Sequence, residues 1–364
     1  MKADMGARFP GVTEISVTEI PGIRIGQTEN AAAGTGCTVF ISEKGMRAGL
    51  DIRGGGPAAR ESQLLDPLMD AQQIHGILLA GGSAYGLGAA NGVMECLESR
   101  GIGLPVGPMR VPLVVQSDIF DLGVGDGRVR PDAAMGFEAA RLALDSPNYR
   151  DGNYGAGCGA SVGKLAGRGH AMKSGIGSFA LELGGLQIGA VVVLNAAGDV
   201  YDWKSGRKAA GMLKEDRSGF LDTEEVLLER TRKELEAAAQ TEMAQAAAGG
   251  PAGQGGAGQP ARDAQPGSIP GNTTLAVVIT NACFDKARLC KIAGMAHDGY
   301  ARSIRPVHTS MDGDSIYAVS VGDVKVSMDM AGSLAAAAVS EAILRAVWSA
   351  EGAYSLPGAC DLGF

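Results

Sequence analysis

Gly271-Asn272-Thr273-Thr274-Leu275 stands at the sharpest boundary in the chain. Before it, residues 244–270 read AQAAAGGPAGQGGAGQPARDAQPGSIP, a run of Ala, Gly, Gln and Pro with almost nothing to bury. After it, residues 275–279 read LAVVI, a short apolar run that fits a buried strand. A structureless stretch of that length inside one compact fold is uncommon unless it serves a function or is disordered. A Thr at its end can become a new amino terminus if the Asn272–Thr273 bond breaks. Its hydroxyl then gains the free α-amine as its own base, with an unperturbed pKa of about 7.7–8.0. An ordinary strand start, where β-branched side chains are favoured, explains Thr273 as well. The residues alone leave both readings open.

Outward from this point the chain alternates strand and helix signals. Downstream, Asp285–Tyr300 predicts a helix, Ser315–Val321 and Val324–Met328 a pair of strands, and Ala331–Ser349 an Ala-rich helix. Upstream, residues 222–245 carry a charged helical pattern with Asp222 as N-cap. The segment Ser161–Val193 predicts strand hairpins, and the apolar run 188–194 ends at Asn195. Ile74–Leu79 predicts a buried strand, followed by Gly81-Gly82-Ser83 and a helix from about Ala84 to Arg100; residues 23–53 predict strands and turns. Blocks of strands flanked by helices suggest a layered α/β architecture in place of a regular βαβ wheel.

The bulk properties narrow the classes. With 364 residues and 45% hydrophobic content, a sizeable core is expected. A net charge of −8 with scattered Lys and Arg argues against nucleic acid or an anionic membrane as partner. The amino terminus lacks the basic-then-apolar pattern of a signal peptide. The apolar stretch Ala331–Ala353 is interrupted by Glu341, Arg345 and Glu351. Six cysteines without a C-x-x-C pair fit reduced, mostly buried thiols, and a cytoplasmic setting is expected.

Several polar positions stand out. Asp312-Gly313-Asp314 precedes a strand, and residues two apart in extended chain share a side, so both carboxylates could hold an amine or orient a nucleophile. The alternative is a polar turn. A Ca²⁺ loop fails, since Tyr317 and Asp323 occupy the places of the required Gly and Glu. Gly155 to Leu165 imitates a phosphate loop but lacks its first Gly (Cys158 is there) and its Mg²⁺-binding hydroxyl (Leu165 is there). Lys164 in that segment could be desolvated and polarise a hydroxyl, or could reach solvent. Asn195 could donate to an oxyanion or simply turn the chain. Phe120 and Asp121 are placed on one wall of a substrate pocket. The Gly81-Gly82-Ser83 turn could bind an anion or join strand to helix, and the glycine spacing that follows does not fit a dinucleotide site. The four histidines form no Ser-His-Asp pattern, and no metal or cofactor is expected.

Taken together, Gly271-Asn272-Thr273-Thr274 and His308-Thr309-x-Met311-Asp312-Gly313-Asp314 resemble the L-aminopeptidase/D-esterase family, which includes β-aminopeptidases and the endo-type 6-aminohexanoate-oligomer hydrolase. Gly-Gly-Ser-Ala-Tyr-Gly-Leu, Gly-Ala-Gly…Gly-Lys and Val-Val-Val-x-Asn extend the resemblance over roughly residues 20 to 350. It implies an αββα sandwich similar to that of ornithine acetyltransferases, assembled as a homotetramer of αβ units. It also implies self-cleavage into an α part, 1–272 with a linker at about 244–270, and a β part, 273–364, together forming one catalytic domain. By the same resemblance Thr273 is the nucleophile, Lys164 and Asn195 line the site, and Asp312 and Asp314 orient Thr273. The implied activity is hydrolysis of small peptides or amides through an acyl-enzyme. An acyltransferase of the ornithine acetyltransferase kind and a 6-aminohexanoate-oligomer hydrolase are the alternatives. The better-known aminopeptidases carry Ser at the cleavage point and Ser-x-Glu where this chain has Asp312-x-Asp314, so the Asp-Gly-Asp form resembles the oligomer-hydrolase branch.

Overall fold

The computed structural model describes residues 11–247 and 271–362, with side chains described to residue 244 in the first span. Most of the linker expected at 244–270 therefore lies outside the described residues. Ten strands form one mixed sheet. In chain order they are Thr13–Ile15 (β1), Arg24–Asn30 (β2), Thr35–Ile52 (β3), Ala58–Arg60 (β4), Ile74–Ala80 (β5), Val114–Asp118 (β6), Ile176–Leu183 (β7), Leu186–Val193 (β8), Leu275–Ala282 (β9) and Ser315–Val324 (β10). Across the sheet they run β1-β7-β8-β9-β10-β3-β5-β6-β4, with β2 also paired to β3. Five helices accompany them: Ala89–Ser99 (α1), Ala133–Asp145 (α2), Thr223–Ala247 (α3), Lys286–Ser303 (α4) and Met328–Trp348 (α5).

The long strand β3 makes this sheet a two-part object. Its end Arg47–Ile52 pairs with β10, while Thr35–Ile41 pairs with β2 and Cys37–Ile41 with β5. The register shifts between Ile41 and Met46, where the strand passes from one half to the other. Side chains alternate faces along a strand, and the cores follow that alternation. Ala276 and Val278 face α4 and α5, whereas Val277 and Ile279 join Phe40, Ile77 and Leu79 between the two half-sheets. Val39, Ile41, Leu78 and Ala80 turn the other way, onto α1 and α2. A large mixed sheet is thus flanked by a helix pair on each outer face, with a third core inside the fold.

Local chemistry sets the helix starts. Asp132 and Asp285 cap α2 and α4 by accepting from Met135 N and Arg288 N. Asp222 does the same for α3 through Glu224 N and Glu225 N. Two expectations need correction. The stretch Val324–Met328 is not a second strand: β10 runs on to Val324, and Ser327, extended and accepting from Ala331 N, opens α5 instead. Its alternating pattern is outweighed by the Ala-rich helix behind it. The helix expected from Ala84 is a 3₁₀ turn, Ser83–Gly88, before α1 begins at Ala89. The hairpin expected within Ser161–Val193 is β7–β8, turning at Gly184-Gly185. α5 is long and apolar enough by composition to cross a membrane, and 78% of that window is buried inside the fold. The six cysteines are unbridged, with Cys37, Cys96 and Cys158 buried.

Candidate active site

The site forms where three strands of the sheet end and their registers carry on. β8 pairs antiparallel with β9 at Val193–Leu275, and β9 pairs parallel with β10 at Leu275–Ser315. Two residues further out, the same registers set Asn195 beside Thr273 and Thr273 beside Gly313. The hydrogen bonds agree: Thr273 N donates to Asn195 O at 3.0 Å, and Gly313 N donates to Asn272 O at 2.9 Å. Asn272 and Asp312 form an isolated parallel bridge. The Thr273 hydroxyl, 4% exposed, donates to Asn272 O at 2.5 Å. Sheet geometry therefore delivers a hydroxyl against the carbonyl of the preceding peptide bond.

Glycine is required on both sides of that bond. Gly271 has φ +98°, and a Cβ there would lie 2.5 Å from the Phe120 ring. A Cβ on Gly313 would lie 2.7 Å from Thr273 Oγ1. Next to the bond a cavity of about 260 Å³ is lined by Gly56, Ala58, Ser83, Asp118 and Phe120 together with Gly271, Asn272, Thr273 and Met311. A larger, more open groove lies by the start of α3, among Lys208, Phe220 and Glu225, and contains none of these groups.

Burial tunes the ionisable neighbours. Lys164 is 2% exposed, and its Nζ donates to Asn195 O at 3.0 Å and Asn195 Oδ1 at 2.8 Å. Desolvation lowers its pKa to about 7, against the pull of Asp312, Asp121 and Asp314. A lysine so placed is partly neutral near neutrality and can accept a proton. Lys164 Nζ and Thr273 N share the acceptor Asn195 O. Burial raises Asp312, and the neighbouring Asp314 raises it further.

The expected site residues do not all point at Thr273. Asp314 takes Thr274 N at 2.7 Å on one oxygen; its other oxygen takes His308 N and meets His308 Nδ1 at 2.9 Å. Asp312 takes Thr309 N at 2.7 Å. Neither carboxylate is hydrogen-bonded to the Thr273 hydroxyl among the described residues. Asn195 Nδ2 donates to Phe120 O at 3.1 Å, and Asn195 Oδ1 also accepts from Ser161 N. Phe120 lines the cavity, whereas Asp121 sits behind it, holding Thr35 Oγ1 and Gly82 N, both at 2.7 Å.

Asp118 was missed by the sequence reading. It is 1% exposed and lines the cavity; Oδ1 accepts from Gln116 Nε2 at 2.7 Å, and Oδ2 has no hydrogen-bond partner among the described residues. Burial pushes its pKa well above the usual carboxylate range. The available signal was Gln116-Ser117-Asp118, a polar triplet closing a strand that opens with Val114 and Val115, all five residues of which are buried. Gly313 was read only as a spacer between two acids. Among the described residues no three His, Cys, Asp or Glu side chains gather to hold a metal ion.

This chain is similar to several known proteins. An uncharacterized aminopeptidase of Mycobacterium leprae is 34% identical, over 95% of this chain and 94% of its own length. The 6-aminohexanoate-oligomer endohydrolase of Paenarthrobacter ureafaciens is 28% identical over 91% of this chain and 82% of its own length. Among solved structures, a β-aminopeptidase of Burkholderia sp. superposes with a TM-score of 0.61 at 19% identity, covering 95% of this chain and 92% of that one. The L-aminopeptidase D-Ala-esterase/amidase of Ochrobactrum anthropi, described as a variant of the Ntn hydrolase fold, gives 0.61 at 18% identity, covering 94% and 90%. These last two likenesses bear on the fold. The model of peptidase family S58 matches residues 16–359, and this chain is accordingly a hydrolase belonging to that family.

Proposed function

We propose that the chain cuts itself between Asn272 and Thr273 and then hydrolyses small peptide or amide substrates through an acyl-enzyme on Thr273. The observation that carries this reading is the Thr273 hydroxyl held 2.5 Å from the Asn272 carbonyl oxygen at the edge of a cavity. In self-cleavage the Thr273 oxygen bonds to the Asn272 carbonyl carbon, the C–N bond breaks, and the nitrogen becomes the Thr273 amine. Water then hydrolyses the ester, leaving an Asn272 carboxylate and restoring the hydroxyl. In turnover the new amine takes the hydroxyl proton as the acyl-enzyme forms and passes it to the leaving amine. Water repeats the deacylation.

The cavity supports a substrate class. Asp118, a buried carboxyl among the residues that line the cavity, suits an ammonium group, which would draw it into its charged form. Free amino termini are therefore the preferred substrates, as the name of the mycobacterial relative suggests. A 6-aminohexanoate oligomer also ends in an amine and belongs in the same panel, given the similarity to the endohydrolase.

Denaturing electrophoresis with amino-terminal sequencing tests the first half. The purified protein should resolve into 1–272 and 273–364, the second beginning Thr-Thr-Leu-Ala, and Thr273→Ala should stay whole. Assay on amino-acid p-nitroanilides, β-peptides and 6-aminohexanoate oligomers tests the second half. An uncut protein with full activity, or an active Thr273→Ala variant, overturns the reading.

A further inference from the structure

We propose that the backbone N–H of Gly313, rather than the Asn195 side-chain amide, is the oxyanion donor for cleavage of the Asn272–Thr273 bond. The inference rests on the self-cleavage reading and assigns it a catalytic group. In the uncut chain the Asn272 carbonyl oxygen accepts from Gly313 N at 2.9 Å as well as from the Thr273 hydroxyl. When the hydroxyl oxygen attacks, C=O becomes C–O⁻, and the negative charge develops on the atom that Gly313 already holds. An oxyanion donor must lie about 2.7–3.1 Å from where that oxygen settles once the carbon is tetrahedral, and Gly313 N starts 2.9 Å from it in the uncut chain.

The Asn195 amide is committed elsewhere. Its Nδ2 donates to Phe120 O, and its Oδ1 accepts from Lys164 and Ser161. What Asn195 offers the bond is its backbone carbonyl, which takes Thr273 N–H. Main-chain groups of two neighbouring strand ends thus grip the peptide from opposite sides, Gly313 on the carbonyl and Asn195 on the amide. Both contacts follow from the sheet register and need no side chain to be ordered first. Space is equally strict: beyond its clash with Thr273 Oγ1, a Cβ at 313 would meet Gly56 O and Pro57 Cα at 3.2 Å.

Protons balance within this frame. The hydroxyl loses its proton as the C–O bond forms, and the departing nitrogen gains one as the C–N bond breaks. Lys164, sharing the acceptor of that nitrogen, can receive the first and return it. Hydrolysis of the ester then consumes one water and gives the carboxylate.

The test removes one hydrogen. A semisynthetic chain with glycolic acid in place of Gly313 keeps the shape and loses the N–H. Splitting, followed by denaturing electrophoresis and expressed per folded molecule from circular dichroism, should slow about 10²–10³-fold. A folded ester chain that splits at the unaltered rate overturns the proposal. A second measurement is independent of cleavage. In an uncut Thr273→Ala chain with ¹³C at the Asn272 carbonyl, the same replacement should move the carbonyl stretch to higher frequency, and an unmoved band overturns the contact. If the unaltered chain never splits, the self-cleavage reading falls, and the donor falls with it.

Discussion

Lys164 and Lys173 are two buried lysines with the same depressed pKa of about 7 and different surroundings. Burial is the main cause in both, resisted by Asp312, Asp121 and Asp314 at Lys164 and by Cys158 and Asp121 at Lys173. An ammonium has three hydrogens to donate. Lys173 spends all three on the carbonyls of Gly157, Ala160 and Ser174, the first two at 3.2 and 3.1 Å. Lys164 spends two among the described residues, both on Asn195, whose carbonyl also takes Thr273 N. The carboxylates repeat the contrast: both Asp121 oxygens are occupied, by Thr35 and Gly82, whereas Asp118, which lines the cavity, keeps one oxygen without a hydrogen-bond partner among the described residues. Burial makes a group unusual; unspent bonding capacity near a cavity or a strand-end hydroxyl is what marks it for a proposed role.

The largest effect expected from this contrast is on the chemical step. Lys164→Met should slow self-cleavage and turnover about 10²–10⁴-fold, while Lys173→Met should split at the parent rate per folded molecule. Equal losses, measured by electrophoresis and p-nitroanilide hydrolysis, would erase the distinction. Stability should rank the other way. Lys173→Met strands three buried carbonyls and should cost about 3 kcal/mol or more in urea unfolding.

A pH profile sharpens the comparison further. The acceptor is the neutral amine, so the self-cleavage rate of uncut chain, which has no free amine at 273, should rise through about pH 7 as Lys164 deprotonates. Lys173→Met should keep that inflection and Lys164→Met should lose it. Both lysines also bind their proton less tightly folded than unfolded. The unfolded chain therefore holds more protons between about pH 7 and 10.5, and stability should climb with pH across that window. Each Met replacement should flatten the climb. The smallest effect is expected at Asp118→Asn, which should raise KM about tenfold, roughly 1.4 kcal/mol, for free-amine substrates and leave N-acetylated ones unchanged. A uniform rise would place Asp118 in the scaffold.

Where the chemistry is local, the sequence carried it. Thr273 was legible because composition changes abruptly beside it, and Asn195 because it ends an apolar run. The αβ layering was legible from blocks of strand and helix. Gly313 was not, because its N–H acquires meaning only from the parallel register of Leu275 with Ser315, which no local pattern encodes. Asp118 was not, because an unpartnered oxygen is a property of packing around a strand. Val324–Met328 misled because five residues of alternation weigh less than the helix that begins inside them.

The order of strands carries a mechanical consequence. β9 and β10, both beyond residue 273, lie side by side in the middle of the sheet, clasped by β8 on one flank and β3 on the other. Severing the chain at Thr273 would therefore leave the short piece dovetailed into the long one, with neither able to leave without tearing two ladders. Such fragments should co-elute in gel filtration and melt in a single transition, so that proteolysis alters the connectivity of the molecule and leaves its architecture whole.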